Sequence, residues 1–260
     1  MPGKKRLDQL LTERGLAVDL KKAQALIGAG QVIVNTGSDY KAGSLVPTDS
    51  EIRLRKSSAF VSRGGEKLAG GLKQLAIDPT GWICADIGCS TGGFTDCLLQ
   101  RGAARVYAVD VGYGLLAWKL RQDERVILHE RTNARYLTRQ HIPEPLDLAV
   151  LDASFISLRS LLPPLLPLFG SVVHILALVK PQFELARDKV GDGGIVRESR
   201  LHKEAVDSVK RFAEELGLSC RGEAASSICG AKGNQEFLLY FTGTLQLLTM
   251  SRKKPEKENW

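Results

Sequence analysis

Lys67, Asp152, Lys180 and Glu236 are two amines and two carboxylates scattered along 260 residues. Each falls at an end of a regular element read from the pattern: Lys67 at the start of a helix, Asp152 and Lys180 closing successive apolar strands, and Glu236 opening the last strand. Ligands of open parallel sheets bind beyond the carboxyl ends of the strands, so such a topology can gather all four. Taken singly, each is as readily one half of a surface ion pair. Taken together, they suit the removal of a proton from a poor nucleophile. An ordinary lysine is protonated at neutral pH, but burial and a second ammonium nearby favour the neutral amine. A neutral amine can take the proton of a ribose hydroxyl as that hydroxyl attacks an electrophilic methyl group. Lys180 is the candidate base, Asp152 its steering partner, and Lys67 with Glu236 the pair that positions the hydroxyl. The histidines, His129, His141, His174 and His202, show no ligand spacing, and no metal is expected.

A glycine loop, Asp86-Ile-Gly88-Cys-Ser90-Thr91-Gly92-Gly93-Phe94, follows the first strand of this sheet and opens a helix. The free N–H groups of a helix N-terminus hold anions. The loop lacks the Lys-Ser or Lys-Thr of a Walker A sequence, and its spacing differs from the G-x-G-x-x-G of nicotinamide folds. Gly88-Cys-Ser90-Thr-Gly92 does satisfy G-x-S-x-G, with Asp110 or Asp152 and then His174 or His202 following in hydrolase order. A hydrolase elbow comes after several strands, however, whereas this one follows the first. Asp86 before the loop and Asp110 at the end of the next strand favour an adenosyl ligand instead. A carboxylate there accepts both ribose hydroxyls, and the helix N-terminus takes a carboxylate. S-adenosylmethionine carries both groups. Asn133, just past the third strand, is a candidate for the adenine edge.

The elements that must position these residues alternate. After Gly64-Gly65, strands are expected at 82–87, 106–109, 126–129, 146–151 and 172–179, with helices near 67–75, 94–100, 115–121, 158–162 and 201–216, the signature of a parallel sheet wrapped by helices. Two late strands, 224–228 and 236–241, close it and are read as antiparallel. The fold expected is α/β, Rossmann-like, with a mostly parallel seven-stranded sheet. Before it, residues 6–56 read as a small α+β unit with two short helices, faced by Leu7, Leu10 and Leu11 and by Ala23, Leu26 and Ile27, and short strands at 32–34, 44–46 and 51–54. The expected domains are 1–60 and 61–246, joined through Ser57 to Val61, with a basic polar tail at 247–260.

The chain carries 36 Lys and Arg against 29 Asp and Glu, a net charge of +7. Twelve bases against seven acids through Lys67 place +5 of that charge in the first quarter, which points to a polyanionic partner. The five cysteines form no C-x-x-C pair and read as small buried hydrophobes in a reducing cytosol. No apolar segment follows the basic start, so no secretory signal is expected and the location expected is cytoplasmic. Residues 160–179 carry no charge and have the length of a membrane span. Pro163, Pro164, Pro167 and Gly170 divide them into a short helix and a buried strand, and no stable membrane association is expected.

Several segments resemble the TlyA family, long labelled hemolysin-like, in which an RNA-binding domain of the ribosomal-protein S-four type precedes an FtsJ-like methyltransferase domain. They are Arg6-Leu-Asp8, Ala25 to Asn35, Ser62-Arg-Gly-Gly-Glu-Lys67, Asp86 to Phe94, Leu151-Asp-Ala-Ser-Phe-Ile-Ser157 and Val179-Lys-Pro-Gln-Phe-Glu184. The resemblance covers nearly the whole chain. It implies S-adenosylmethionine-dependent 2′-O-methylation of cytidine in ribosomal RNA, with ribosomal subunits as partners and with the Lys-Asp-Lys-Glu tetrad on Lys67, Asp152, Lys180 and Glu236. It makes Lys4, Lys5, Arg6, Lys21, Lys22 and Arg63 candidate RNA contacts, and the Gly-rich loop 188–196 a candidate flap over RNA. Two alternatives stay open: a ribosome-binding protein without catalysis, and a membrane-active hemolysin. Neither the nucleotide, the subunit nor the oligomeric state is legible in the residues.

Overall fold

A computed structural model describes residues 3–28, 30–35, 37, 40–54, 59–230 and 233–244. Ser57 and Ser58 of the expected linker, and the expected tail from 247, lie outside the described residues. The chain divides into two compact units, Met1–Ser58 and Ala59–Trp260.

The first unit is built on β1 (Lys4–Arg6), α1 (Leu7–Glu13), α2 (Leu20–Gly28), β2 (Val32–Val34), β3 (Leu45–Pro47) and β4 (Ile52–Leu54). The strands form two antiparallel pairs, β1 with β3 and β2 with β4. The expected helix faces turn inward: Leu7, Leu10, Leu11, Ala23 and Ile27 pack with Val32, Val34, Val46 and Ile52. Strand β1 was not expected, because Lys4-Lys5-Arg6 has no apolar residue to signal it. Its backbone pairs with β3 while its side chains stay in or near solvent.

The second unit runs α3 (Arg63–Gln74), β5 (Ile83–Ile87), α4 (Gly93–Gln100), β6 (Arg105–Val109), α5 (Trp118–Arg121), β7 (Val126–His129), β8 (Leu148–Leu151), α6 (Leu162–Leu165), β9 (Val172–Val179), α7 (Pro181–Glu184), α8 (Ser199–Glu215), β10 (Ser219–Ala225) and β11 (Phe237–Thr244). Its seven strands form one sheet in the order β10-β11-β9-β8-β5-β6-β7. β11 is antiparallel to both of its neighbours, and the contacts of β5 with β6 and β8, of β6 with β7, and of β8 with β9 are parallel. The chain reverses its direction across the sheet between β5 and β8, which opens a crevice at their carboxyl ends.

Strands at 126–129 and 172–179 coincide with expectation, and the buried run of β9 is sandwiched between β8 and β11. Several boundaries move. α3 begins at Arg63, so Lys67 sits one turn inside it. The helix expected at 115–121 shrinks to α5, and 158–162 becomes a 3-10 turn followed by α6. The strand expected at 224–228 lies earlier, at β10, where Cys220 and Gly222 straddle a bulge. The expectation that all cysteines are buried fails for two of them: Cys84, Cys89 and Cys97 are buried, but Cys220 is half-buried and Cys229 exposed.

Candidate active site

A cleft of about 650 Å³ lies along the carboxyl edge of the sheet, lined by all four tetrad residues together with Arg63, Ser90, Phe94, Phe155 and Asn234. Two ion pairs stand in it. Lys67 Nζ donates to Glu236 Oε2 at 2.5 Å, with the two side chains 11% and 3% exposed. Glu236 is pressed against the backbone, since a Cβ added to Gly230 would stand 2.5 Å from its Oε1. Lys180 Nζ lies 2.7 Å from Asp152 Oδ1, and its hydrogen bonds run to Ser154 Oγ at 2.9 Å and the Asp152 carbonyl at 3.3 Å. Two acceptors thus take N–H bonds of the ammonium, while Asp152 Oδ1 offsets its charge without a hydrogen bond. Loss of one proton frees a lone pair on a nitrogen already fixed in place.

The glycine loop folds around its own strand end. Gly88 and Cys89 donate to the Val109 carbonyl, and Gly88 has φ +85. A Cβ at Gly88 would meet the Asp152 carbonyl oxygen at 3.0 Å, so only glycine lets this loop lie against the loop that carries the Lys180 partner. Gly93 and Phe94, in the first turn of α4, face the cleft with Ser90 and Thr91. The Thr95 N–H is already taken by Asp86.

A second, smaller cleft adjoins the first and shares Gly88, Ser90, Asp152, Ser154 and Phe155 with it. Asp110 and Asn133 line it between Ile87, Val109, Leu115 and Ile156. Asp110 accepts the N–H of Ser90 on Oδ2 (2.8 Å) and that of Gly112 on Oδ1 (2.7 Å), which fixes both oxygens with lone pairs to spare. Asn133 uses its carbonyl oxygen to cap the turn at 134–136. A flat apolar slot, a fixed carboxylate and a helix N-terminus together match the ring, diol and carboxylate of an adenosyl amino acid.

Two residues named for cofactor contact stand elsewhere. Asp86 is fully buried beneath the loop and lines neither cleft. Its Oδ2 accepts the N–H and Oγ–H of Thr95 at 2.8 and 2.7 Å, and burial pushes its carboxyl up to about 7. It ties the strand to α4. Gly92 (φ +94) also faces inward, against Leu116 and Leu120.

Residues that sequence reasoning passed over include Ser154, Phe155, Gln182, Phe183 and Asn234, all lining the larger cleft. All but Asn234 sit within three residues of Asp152 or Lys180, and that proximity was the available signal. Phe155 is 91% exposed at φ +63, its ring 5.1 Å from that of Phe183. Buried Asn234 binds the 188–196 loop, donating to the Gly194 carbonyl at 2.8 Å and accepting the Val196 N–H at 2.9 Å, and Val190 and Gly194 line the cleft.

In the first unit Lys4, Lys21 and Lys22 are exposed. Lys5 is paired with Glu13, and Arg6 clasps the buried Asp8 at 3.0 and 2.7 Å, so Arg6 has a structural task there. Arg63 belongs to the second unit, on the rim of the cleft.

No helix of the described residues is long and apolar enough to cross a membrane. Residues 60–242 match the FtsJ-like methyltransferase family. The 16S/23S rRNA (cytidine-2′-O)-methyltransferase TlyA of Mycobacterium tuberculosis is 46% identical over 242 residues, covering 92% of this chain and 90% of that protein. Hemolysin A of Brachyspira hyodysenteriae is 38% identical, covering 91% and 99%. A solved structure described as a candidate hemolysin of Streptococcus thermophilus superposes with a TM-score of 0.72 at 37% identity, covering 97% of each chain. Matched along its second unit by the family and along most of its length by these relatives, the chain belongs to the FtsJ-like methyltransferase family.

Proposed function

We propose that the protein transfers a methyl group from S-adenosylmethionine to the 2′-hydroxyl of cytidine in ribosomal RNA. The observation that carries this reading is the convergence of the Lys67–Glu236 and Lys180–Asp152 ion pairs on one cleft that adjoins the Asp110 slot. When bound, S-adenosylmethionine supplies a methyl carried on a sulfonium, electrophilic enough to need no metal. Asp110 holds the ribose hydroxyls of the donor, the apolar slot its base, and the first turn of α4 its carboxylate. Lys180 Nζ takes the 2′-hydroxyl proton as the methyl is transferred, and Asp152 Oδ1, 2.7 Å away, pairs with the ammonium that forms. A carboxylate at that distance favours the charged product of proton transfer, which is where the barrier needs help. Lys67, held by Glu236, donates to the nucleotide and orients it.

Phe155 and Phe183 offer ring faces to a base drawn out of its stack. The first unit, Met1–Ser58, serves as an S-four-type RNA-binding domain whose Lys4, Lys5, Arg6, Lys21 and Lys22 contact phosphates, and Arg63 of the second unit adds a further contact. The flap at 188–196 closes over the RNA, and the folded ribosomal subunit is the substrate presented to both units. The test is transfer of labelled methyl from S-adenosylmethionine to unmodified ribosomal subunits, with digestion of the RNA to nucleosides. Labelled 2′-O-methylcytidine is the expected product. Label on a base, or none on either subunit or naked RNA while donor binding is intact, overturns the reading.

A further inference from the structure

The segment Val179 to Glu184 contributes Lys180 to the site, but Glu184 at its far end is used by nothing described so far. Glu184 is buried, with its side chain 1% exposed, in a place where a lone carboxylate is disfavoured. Burial raises its proton affinity above that of an ordinary glutamate, while two hydrogen bonds act in the opposite sense. Oε2 accepts Ser157 Oγ–H at 2.6 Å, and Oε1 accepts the Leu158 N–H at 2.8 Å. Arg159 adds a contact on the outer side, with Nε 3.9 Å from Oε2 and Nη2 3.4 Å from the Glu184 carbonyl oxygen.

These partners lie on the loop that leaves β8. That loop starts at Asp152, whose N–H is fixed to the Ile87 carbonyl, and runs through Ser154 and Phe155 to Ser157. Between its two ends sit both side-chain partners of the Lys180 ammonium, and Phe155 in the left-handed region that an aromatic residue seldom adopts. A conformation of that kind persists only where the surroundings impose it. Glu184 supplies the far anchor, and it stands four residues from Lys180 on the turn Pro181–Glu184. One short turn therefore carries the amine at one end and grips the loop bearing its partners at the other.

We infer that Glu184 is a positioning residue for methyl transfer, a carboxylate clamp that sets the distance of Asp152 and Ser154 from Lys180 and the presentation of Phe155 without itself touching a reactant. This deepens the proposed function and rests on it for the chemistry, although the clamp itself can be tested without turnover. Glu184→Ala removes both acceptors, and Glu184→Gln keeps one for the Leu158 N–H. Ser157→Ala, which loses only the hydroxyl contact, is the gentler variant should Glu184→Ala fail to fold.

Two readouts use the full chain without substrate. In Glu184→Ala, amide exchange followed by mass spectrometry is expected to quicken at least tenfold in peptides covering 152–160 and to stay within twofold in those covering 86–94. Acylation of Lys180 by a small amine-reactive ester is expected to change severalfold as its contact with Asp152 loosens. A third readout is turnover, where kcat is expected to fall at least tenfold with KM for S-adenosylmethionine within twofold, and Glu184→Gln is expected to recover most of kcat. Unchanged exchange at 152–160, or a loss seen only as a lower melting temperature with kcat intact, overturns the clamp. If the wild-type protein methylates no ribosomal RNA, the functional reading fails, and exchange and acylation still decide the role of Glu184.

Discussion

The Lys67–Glu236 pair yields the sharpest quantitative expectation. Both charges are almost out of solvent, at 11% and 3% exposure. Replacing one partner by Met, which keeps the bulk, leaves the other charge without its counterion. Removing one member of a buried pair costs about 3–5 kcal/mol. Lys67 borders a cleft that admits water, so Glu236→Met is placed just below that range, at about 2–3 kcal/mol, and Lys67→Met, which strands the more buried carboxylate against Gly230, at about 3–4 kcal/mol. Additive losses would total roughly 5–7 kcal/mol, but the double Met variant leaves no charge behind and is expected to lose under about 2 kcal/mol, a coupling of at least about 3 kcal/mol. Thermal unfolding with matched urea titrations measures all four proteins. At roughly 2–4 °C per kcal/mol for a domain of this size, Glu236→Met melts roughly 4–12 °C below wild type. Methyl transfer separates stability from chemistry. All three variants, the stable double one included, are expected to lose on the order of 10² in rate, because the group that orients the nucleotide is gone. A double variant as unstable as the sum of the singles, or one that keeps its activity, refutes the reasoning.

Other expectations follow from the same geometry. Gly88→Ala puts a side chain at φ +85 and 3.0 Å from the Asp152 carbonyl oxygen, so the two loops must part; donor affinity measured by calorimetry is expected to fall at least about tenfold, and unchanged affinity contradicts the close packing. Asp110→Asn presents an N–H to one of two backbone donors, and its dissociation constant for S-adenosylmethionine should rise by about tenfold or more with the melting temperature little changed. Asp86 binds its proton more tightly folded, at about 7, than unfolded. Stability from this group is therefore full below the ordinary carboxylate range and drains away as pH rises from about 4 through 7, by at most about 4 kcal/mol. Asp86→Asn should lack that decline in urea titrations across the window, and parallel profiles for the two proteins dismiss it.

The large unit was legible because its strands are buried runs of apolar residues broken by turn signals. β7 and β9 fall where the pattern puts them, and the tetrad follows from strand ends. Short elements were not legible. β1 is three basic residues whose strand pairing is made by the backbone, and α5 keeps only the last turn of an apparent helix, since Ala117 has an extended ψ of 138° and gives its N–H to the Thr91 carbonyl. Asp86 and Asp110 look alike in sequence, each near a strand end. Asp86 is still inside β5 and points to the core, whereas Asp110 lies one residue past β6 and reaches the cleft. Asp86 pairs with Ala108, so Asp110 stands two residues further along on the same face, and its place past the strand end, not its face, brings it to the cleft. Glu184 was equally hidden, because its partners are 26 and 27 residues away in sequence.

Lys180 decides the central claim. Wild-type protein and Lys180→Met, each saturated with labelled S-adenosylmethionine and shown by calorimetry to bind it equally, would be mixed in single turnover with excess unmodified ribosomal subunits. The account predicts rapid labelling of a cytidine ribose by the wild type and a rate lower by at least about 10² with Lys180→Met. Equal rates would mean that the amine facing Asp152 is not the base, and the chemistry read into the tetrad would fall with it.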